Sequence, residues 1–207
     1  MSIFDYEAFD ATPLRSDPFE HIVVPGFIRR ELLASIARDY PQIADTGSHP
    51  LETLAAGPAF EAFWKEVQSD EFRAHFEKKF GLDLRGHPMM ATAREYIESA
   101  DGSIHTDSKT KVITILFYFN PEWPHEGGRL RFLRSETNLE DYADEVAPLD
   151  GLMLAFRVSD KSFHGHKPHS GHRRMVQIHW VDPKRIERNE RKRRTLRWRL
   201  KKLLRLG

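Results

Sequence analysis

Residues 105–120 read HTDSKTKVITILFYFN, and the second half of that stretch decides the fold class. Val112–Phe119 is apolar at successive positions, the pattern of a central strand buried on both faces. Around it, segments near 89–97, 129–134, 151–158 and 172–181 are short and rich in Val, Ile, Phe, Tyr and Leu. Asp101-Gly102, Asn120-Pro121, Gly127-Gly128 and Asp150-Gly151 punctuate them as turns. Strands at this density, without helices between them, predict a sandwich or barrel. Upstream the period changes. Ile28, Leu32, Leu33, Ile36 and Tyr40 recur at helical spacing until Pro41. Phe60, Phe63, Trp64 and Val67 form a second stripe behind Pro58, and Phe72, Phe76 and Phe80 a third that Gly81 can cap. Aromatic stripes at this spacing are core far more often than ligand sites. Helices followed by an all-β half predict an α+β fold.

The bulk numbers set limits. At 207 residues, 40% hydrophobic and 11% aromatic, the chain is a globular domain plus an appendage, with no internal repeat. No apolar run approaches a membrane span of ~20 residues. The opening MSIFDYEAFDATPLRSDPF carries early acids and no apolar signal core, so the expected location is cytoplasmic. The absence of cysteine excludes a disulfide framework and a thiolate metal site, and suits a reducing compartment.

The net charge of +1 conceals a division. Residues 184–207 hold 12 Lys/Arg against Glu187 and Glu190, leaving 20 basic and 29 acidic residues in the remainder. The expected organisation is an acidic domain over 1–183 and a basic tail over 184–207.

The first half of the quoted stretch carries chemistry. His105 and Asp107 lie two apart, which in extended backbone puts them on one side. Two histidines and one carboxylate can hold one face of an octahedral metal and leave other positions open. His164, in SDKSFHGHKPHSGHRRMVQIHW, precedes a strand that alternates Arg174, Val176, Ile178 and Trp180 with Arg173, Met175, Gln177 and His179. The first set is the more apolar, so it is expected to face inward. That would put the charge of Arg174 inside a barrel, where it needs an anionic partner. The acidic stretch Ser135–Val146 reads as a solvated loop, with a lid over the barrel mouth as the alternative.

The chain resembles the 2-oxoglutarate- and Fe(II)-dependent oxygenases of the prolyl-4-hydroxylase-like branch. The matching elements are His105-Thr106-Asp107, KVITILFYFN, Gly127-Gly128-Arg129-Leu130, APLDGLMLAF, and His164 followed by Pro168, Gly171, Arg174 and Trp180. DPFEHIVVPGFI is similar to the family's entry into the fold, so the likeness spans roughly Asp17 to Asp182. H-x-D alone is a weak signal, whereas the ordered set is strong.

The resemblance implies a double-stranded β-helix, or jelly roll, with N-terminal supporting helices. It implies Fe(II) on His105, Asp107 and His164, and 2-oxoglutarate with its far carboxylate on Arg174; Arg173 is the alternative, which its strand face disfavours. Tyr118 would hydrogen-bond that carboxylate, and Tyr96 would line the pocket. His166 stands where the family often has valine, which leaves open whether it takes part; the other nearby histidines read as surface or supporting groups. The implied reaction uses dioxygen, converts 2-oxoglutarate to succinate and carbon dioxide, and hydroxylates a prolyl, peptide or small-molecule substrate, with ascorbate as an optional further cofactor. Asp107 argues against halogenating relatives, which replace that ligand with a small residue. Two alternatives stand beside this one: a non-catalytic metal- or 2-oxoglutarate-binding jelly roll, and a cupin-like Zn or Mn enzyme with His166 as an extra ligand.

The tail reads as an amphipathic basic helix, with Leu196, Leu200, Leu203 and Leu204 on one face. Docking on the acidic body or a second subunit comes first, and an anionic membrane surface, which would make the protein membrane-peripheral, second. Nucleic acid ranks third, because no base-reading motif accompanies the charge.

Overall fold

The computed structural model describes residues 2–186, so most of the expected tail and its basic helix lie outside the described residues. Four α-helices form one layer: α1 (Tyr6–Ala11), α2 (Arg30–Arg38), α3 (Pro58–Val67) and α4 (Asp70–Phe80). Pro58 occupies the first turn of α3, where its missing N–H is not needed. Ser69 caps α4 by accepting a hydrogen bond from the Phe72 amide, and Gly81 ends the helix at a φ of 60°.

Nine strands follow the helical pattern or interrupt it: β1 (His21–Val24), β2 (His49–Pro50), β3 (Met89–Ile97), β4 (Lys111–Tyr118), β5 (Leu130–Leu133), β6 (Tyr142–Val146), β7 (Met153–Arg157), β8 (His164–Gly165) and β9 (Gly171–Val181). They make an antiparallel sheet in the order β1-β7-β4-β9-β3-β2 and a smaller one in the order β6-β5-β8. Helices on one face of the large sheet and the small sheet on the other give the expected α+β jelly-roll architecture. The expected helical cover also holds two edge strands, β1 from the DPFEHIVV segment and the two-residue β2.

Two apolar clusters separate the layers. Ile113, Ile115 and Phe117 of β4 point to the helices and pack with Phe4, Phe27, Phe63 and Phe72. Phe4 stacks on Phe27 at a centroid distance of 4.8 Å and Phe63 meets Phe117 edge-on at 5.1 Å. Each buried phenyl ring contributes about 1.5–3 kcal/mol, so this layer anchors the large sheet. Leu116 and Tyr118 point the other way, into a second cluster with Phe132, Leu154 and Phe156 between the sheets.

This division corrects the expected facing of β9. Val176, Ile178 and Trp180 belong to the helix-side cluster, and Arg174 points to that side as well. Arg173, Met175, Gln177 and His179 face the space between the sheets. The apolar face of β9 covers the larger core, while the polar face lines the barrel interior. Inward, for this strand, has two meanings.

The acidic segment also differs from expectation. Its second half is β6, paired with β5 through Arg131↔Glu145 and Phe132↔Asp144. Glu145 and Glu140 hold the buried guanidinium of Arg131 at 2.6 and 2.9 Å. The acids serve as counter-charges within the small sheet, which a solvated loop would not supply.

Candidate active site

His105 and His164 are brought together by backbone. They form an isolated antiparallel bridge in which each amide donates to the other's carbonyl at 3.0 Å. Their rings lie 4.4 Å apart. Each ring Nδ1 meets a carbonyl two residues earlier: Ser103 at 2.8 Å for His105 and Ser162 at 2.9 Å for His164. A carbonyl only accepts, so Nδ1 carries the proton and Nε2 keeps its lone pair for a ligand. Upstream of His164 the Ser162 hydroxyl, fully buried, donates to the Ser159 carbonyl and accepts from the Ser159 amide, which fixes the turn.

Asp107 completes the group. One ligand atom from each of His105, Asp107 and His164 lies within 4.8 Å of the others. The Asp107 carboxylate accepts from Lys111 Nζ at 2.6 Å on Oδ1 and from the Thr114 hydroxyl at 2.5 Å on Oδ2. Because that hydroxyl donates to Asp107, it accepts from His179 Nδ1 at 3.0 Å. Burial opposes ionisation of Asp107, yet Lys111 and His164 outweigh it and hold the carboxyl at about 2. Burial and repulsion from His105 push His164 down to about 4, so it is neutral near pH 7. A neutral His164 imidazole and an ionised Asp107 carboxylate are protonation states that a divalent ion needs. The donor set fits Fe(II).

Beside the triad a cavity of about 130 Å³ opens between the sheets, with His105, His164, Arg94, Asp101, Met175 and Arg173 among its lining residues. Arg173 is 3% exposed. Its guanidinium donates to the Gly128 carbonyl at 2.9 Å and the Tyr118 hydroxyl at 3.2 Å, and contacts Met175 Sδ at 3.0 Å. None of these is an anion, and burial lowers the pKa of Arg173 from its ordinary value. Burial likewise raises that of Tyr118, which stays a neutral donor and acceptor. A buried guanidinium with only neutral partners is costly unless a carboxylate arrives. The residues present therefore fit an anionic cosubstrate as well as a metal.

Arg174, the arginine expected here, lies on the other face of β9. It donates to Glu95 at 2.5 Å and to the Ala37 carbonyl at 3.2 Å, and it stacks over the Tyr40 ring at 4.9 Å. Burial opposes ionisation of Glu95, but Arg174 and His172 hold it below the usual carboxylate range. Arg174 thus ties the C-terminal turn of α2 to the sheet, with its charge already matched.

The remaining expected residues divide. Tyr118, expected at the cosubstrate carboxylate, is fully buried and its hydroxyl accepts from Arg173. Tyr96 is 36% exposed, meets His172 edge-on, and is not among the residues lining the cavity. His166 does line it, but its Nδ1 bonds the Lys167 carbonyl at 2.8 Å, and it stands outside the three-ligand group. Thr114, His179 and Arg173 were legible only through strand register: Thr114 lies opposite His179, and Tyr118 opposite Met175, two residues from Arg173.

Comparisons with known proteins agree with this geometry. Residues 91–182 match the family model described as the 2OG-Fe(II) oxygenase superfamily. Similar solved structures include a Pseudomonas putida prolyl-4-hydroxylase, at 18% identity and a TM-score of 0.55, covering 86% of this chain and 91% of that one. A prolyl 4-hydroxylase from Phytophthora capsici aligns at 16% identity and a TM-score of 0.59, over 89% of this chain and 68% of that one. The viral collagen prolyl hydroxylase of Paramecium bursaria Chlorella virus-1, in complex with 2OG, aligns at 14% identity and a TM-score of 0.54, over 78% of this chain and 96% of that one. At these identities the structures speak for the fold alone. No curated protein matches significantly. Residues 91–182, which build nearly all of β3 to β9 and carry the triad, match the 2OG-Fe(II) oxygenase superfamily, and with the His-Asp-His group this match indicates a 2-oxoglutarate-dependent Fe(II) oxygenase, an oxidoreductase.

Proposed function

We propose that this oxygenase is a hydroxylase in which His105, Asp107 and His164 hold Fe(II), while Arg173 with Tyr118 binds the far carboxylate of 2-oxoglutarate. The observation that carries the second half is the buried Arg173 guanidinium, which lines the cavity and among the described residues hydrogen-bonds neutral groups only. Bound iron, with 2-oxoglutarate and dioxygen, supplies the oxidising power for C–H hydroxylation, and 2-oxoglutarate leaves as succinate and carbon dioxide. The chain's own contribution is placement. The carbonyls of Ser103 and Ser162 orient the two imidazoles, Thr114 holds the carboxylate, and the layers around the cavity limit water.

The prolyl hydroxylases among the structural neighbours make a prolyl or other peptide side chain one candidate substrate, and a small molecule is the other. Ascorbate enters the proposal only as an added reductant. The domain comprises residues 1–183 in this reading, and a cytoplasmic setting suits a cysteine-free chain that works with ferrous iron. Contact of the 184–207 tail with a second subunit or an anionic membrane surface is a proposal from charge pattern alone; among the described residues no helix is long and apolar enough to cross a membrane. The test is succinate formation from 2-oxoglutarate with Fe(II). Wild type is expected to turn over slowly without substrate, and Asp107→Ala to lose that turnover. Equal succinate production by the two proteins would remove the metal assignment.

A further inference from the structure

A second cavity, of about 560 Å³, shares Gln177 with the first, which His105 and His164 line. Its wall is apolar where Trp64, Met89 and Met90 meet, and Met90 is 58% exposed there. Its polar wall includes Lys111 and His179, the two residues that stand behind Asp107. A pocket of this size suits a small molecule with an apolar body and few polar anchors.

Lys111 decides the anchor. Among the described residues its ammonium has one partner, Asp107 Oδ1 at 2.6 Å, and its side chain is 21% exposed. A divalent ion on the triad takes up the Asp107 charge and repels the ammonium that shares that carboxylate. Lys111 is then a half-buried cation short of a counter-charge, on the wall of an apolar cavity. Glu52, exposed, also lines this cavity and disfavours a polyanion. His179 Nε2 has no hydrogen-bond partner among the described residues and offers a lone pair to a donor.

Resting on the metal centre proposed above, we infer that this cavity is the substrate site and that Lys111 is its anchor. The substrate class is a small apolar monocarboxylate, recognised by an ammonium that metal binding releases.

The test is titration calorimetry on the full chain with Mn(II) and saturating 2-oxoglutarate, using hexanoate as the probe and hexanamide as its neutral match. Hexanoate is expected to bind roughly 10-fold or more tighter to the Mn(II)-loaded protein than to the metal-free protein, and tighter than hexanamide by a similar factor. Lys111→Met is expected to erase that preference and Lys111→Arg to keep it. Bound Mn(II) and 2-oxoglutarate with no hexanoate binding, equal affinity for the two probes, an unchanged preference in Lys111→Met, or displacement of 2-oxoglutarate by hexanoate would each overturn the inference alone. Failure of Mn(II) to bind is a separate result, and it overturns the metal centre and this inference together.

Discussion

Adjacent arginines on one strand make opposite predictions. Among the described residues Arg173 is a buried cation whose hydrogen-bond partners are all neutral, whereas Arg174 is neutralised by Glu95 at 2.5 Å. Arg173→Met removes a charge that the metal-free fold gains little from holding. It leaves the Gly128 carbonyl and Tyr118 hydroxyl short of a donor, at about 1–3 kcal/mol, and the relieved desolvation offsets that loss. Its stability should therefore stay within about 1.5 kcal/mol of wild type. Its 2-oxoglutarate affinity should fall by roughly 30-fold or more, because losing one partner of a buried charge pair costs about 2–5 kcal/mol. Arg174→Met does the reverse. It leaves the carboxylate of Glu95, which is 8% exposed, with only His172 and the Ile43 amide, and removes the tie to Ala37 and the stacking on Tyr40. The expected cost is about 2–4 kcal/mol, or roughly 5–12 °C in Tm for a domain of this size, with near-normal cosubstrate affinity in the folded protein. Thermal denaturation and calorimetric titration of 2-oxoglutarate into Mn(II)-loaded protein read the two quantities separately. If Arg174→Met lost binding while Arg173→Met kept it, the assignment of the strand faces to chemistry would be wrong.

Further outcomes follow from contacts around the triad. Thr114→Val removes the hydroxyl between Asp107 and His179, and metal affinity should drop roughly 10- to 100-fold with the fold intact; unchanged Mn(II) affinity would show the hydroxyl to be idle. Gly128 has a φ of 75°, and an added Cβ would meet Trp123 Cζ2 at 2.7 Å, so Gly128→Ala should destabilise by at least about 1–2 kcal/mol and disturb the carbonyl that positions Arg173. Native-like urea stability and cosubstrate affinity in that variant would count against this account. Burial holds His164, His166 and His179 at about 4 against an ordinary 6.5. Above pH 6.5 neither folded nor unfolded chain protonates them; between 6.5 and 4 only the unfolded chain does, so stability present at neutral pH is lost as pH falls. The metal-free protein should lose up to about 1.4 kcal/mol per pH unit for each histidine in that window, and a urea midpoint level from pH 6.5 to 5 would contradict the buried neutral state.

How much of this was legible in sequence depends on what each signal measures. Helices α2, α3 and α4 and the strands β3, β4, β7 and β9 announce themselves because apolar spacing reports burial directly, whereas the six-residue α1 is too short to show a stripe. The ligands were legible because His105 and Asp107 lie within one short segment, and because the frame after His164 is ordered. β6 was not, because its acids are paired: Arg131 with Glu145 is invisible until the two strands are set in register. In isolation those acids read as solvated.

The facing of β9 shows the deeper limit. Alternation separates two faces of a strand but does not say what either face meets. In a helix–sheet–sheet sandwich both faces are buried, and the more apolar one packs against the larger core. Val176, Ile178 and Trp180 go to the helices, and the interior that binds polar ligands is left to Arg173, Gln177 and His179. Hydrophobicity therefore selects the wrong face for chemistry wherever a site lies between sheets. A better guide is pairing with a strand whose facing is already known. Thr114 and Tyr118 share one face of β4, and antiparallel register sets them opposite His179 and Met175. Arg173 follows two residues on, inside the barrel, and the same step puts Arg174 among the helices. The site is thus encoded less by which residues are polar than by which strand each must face.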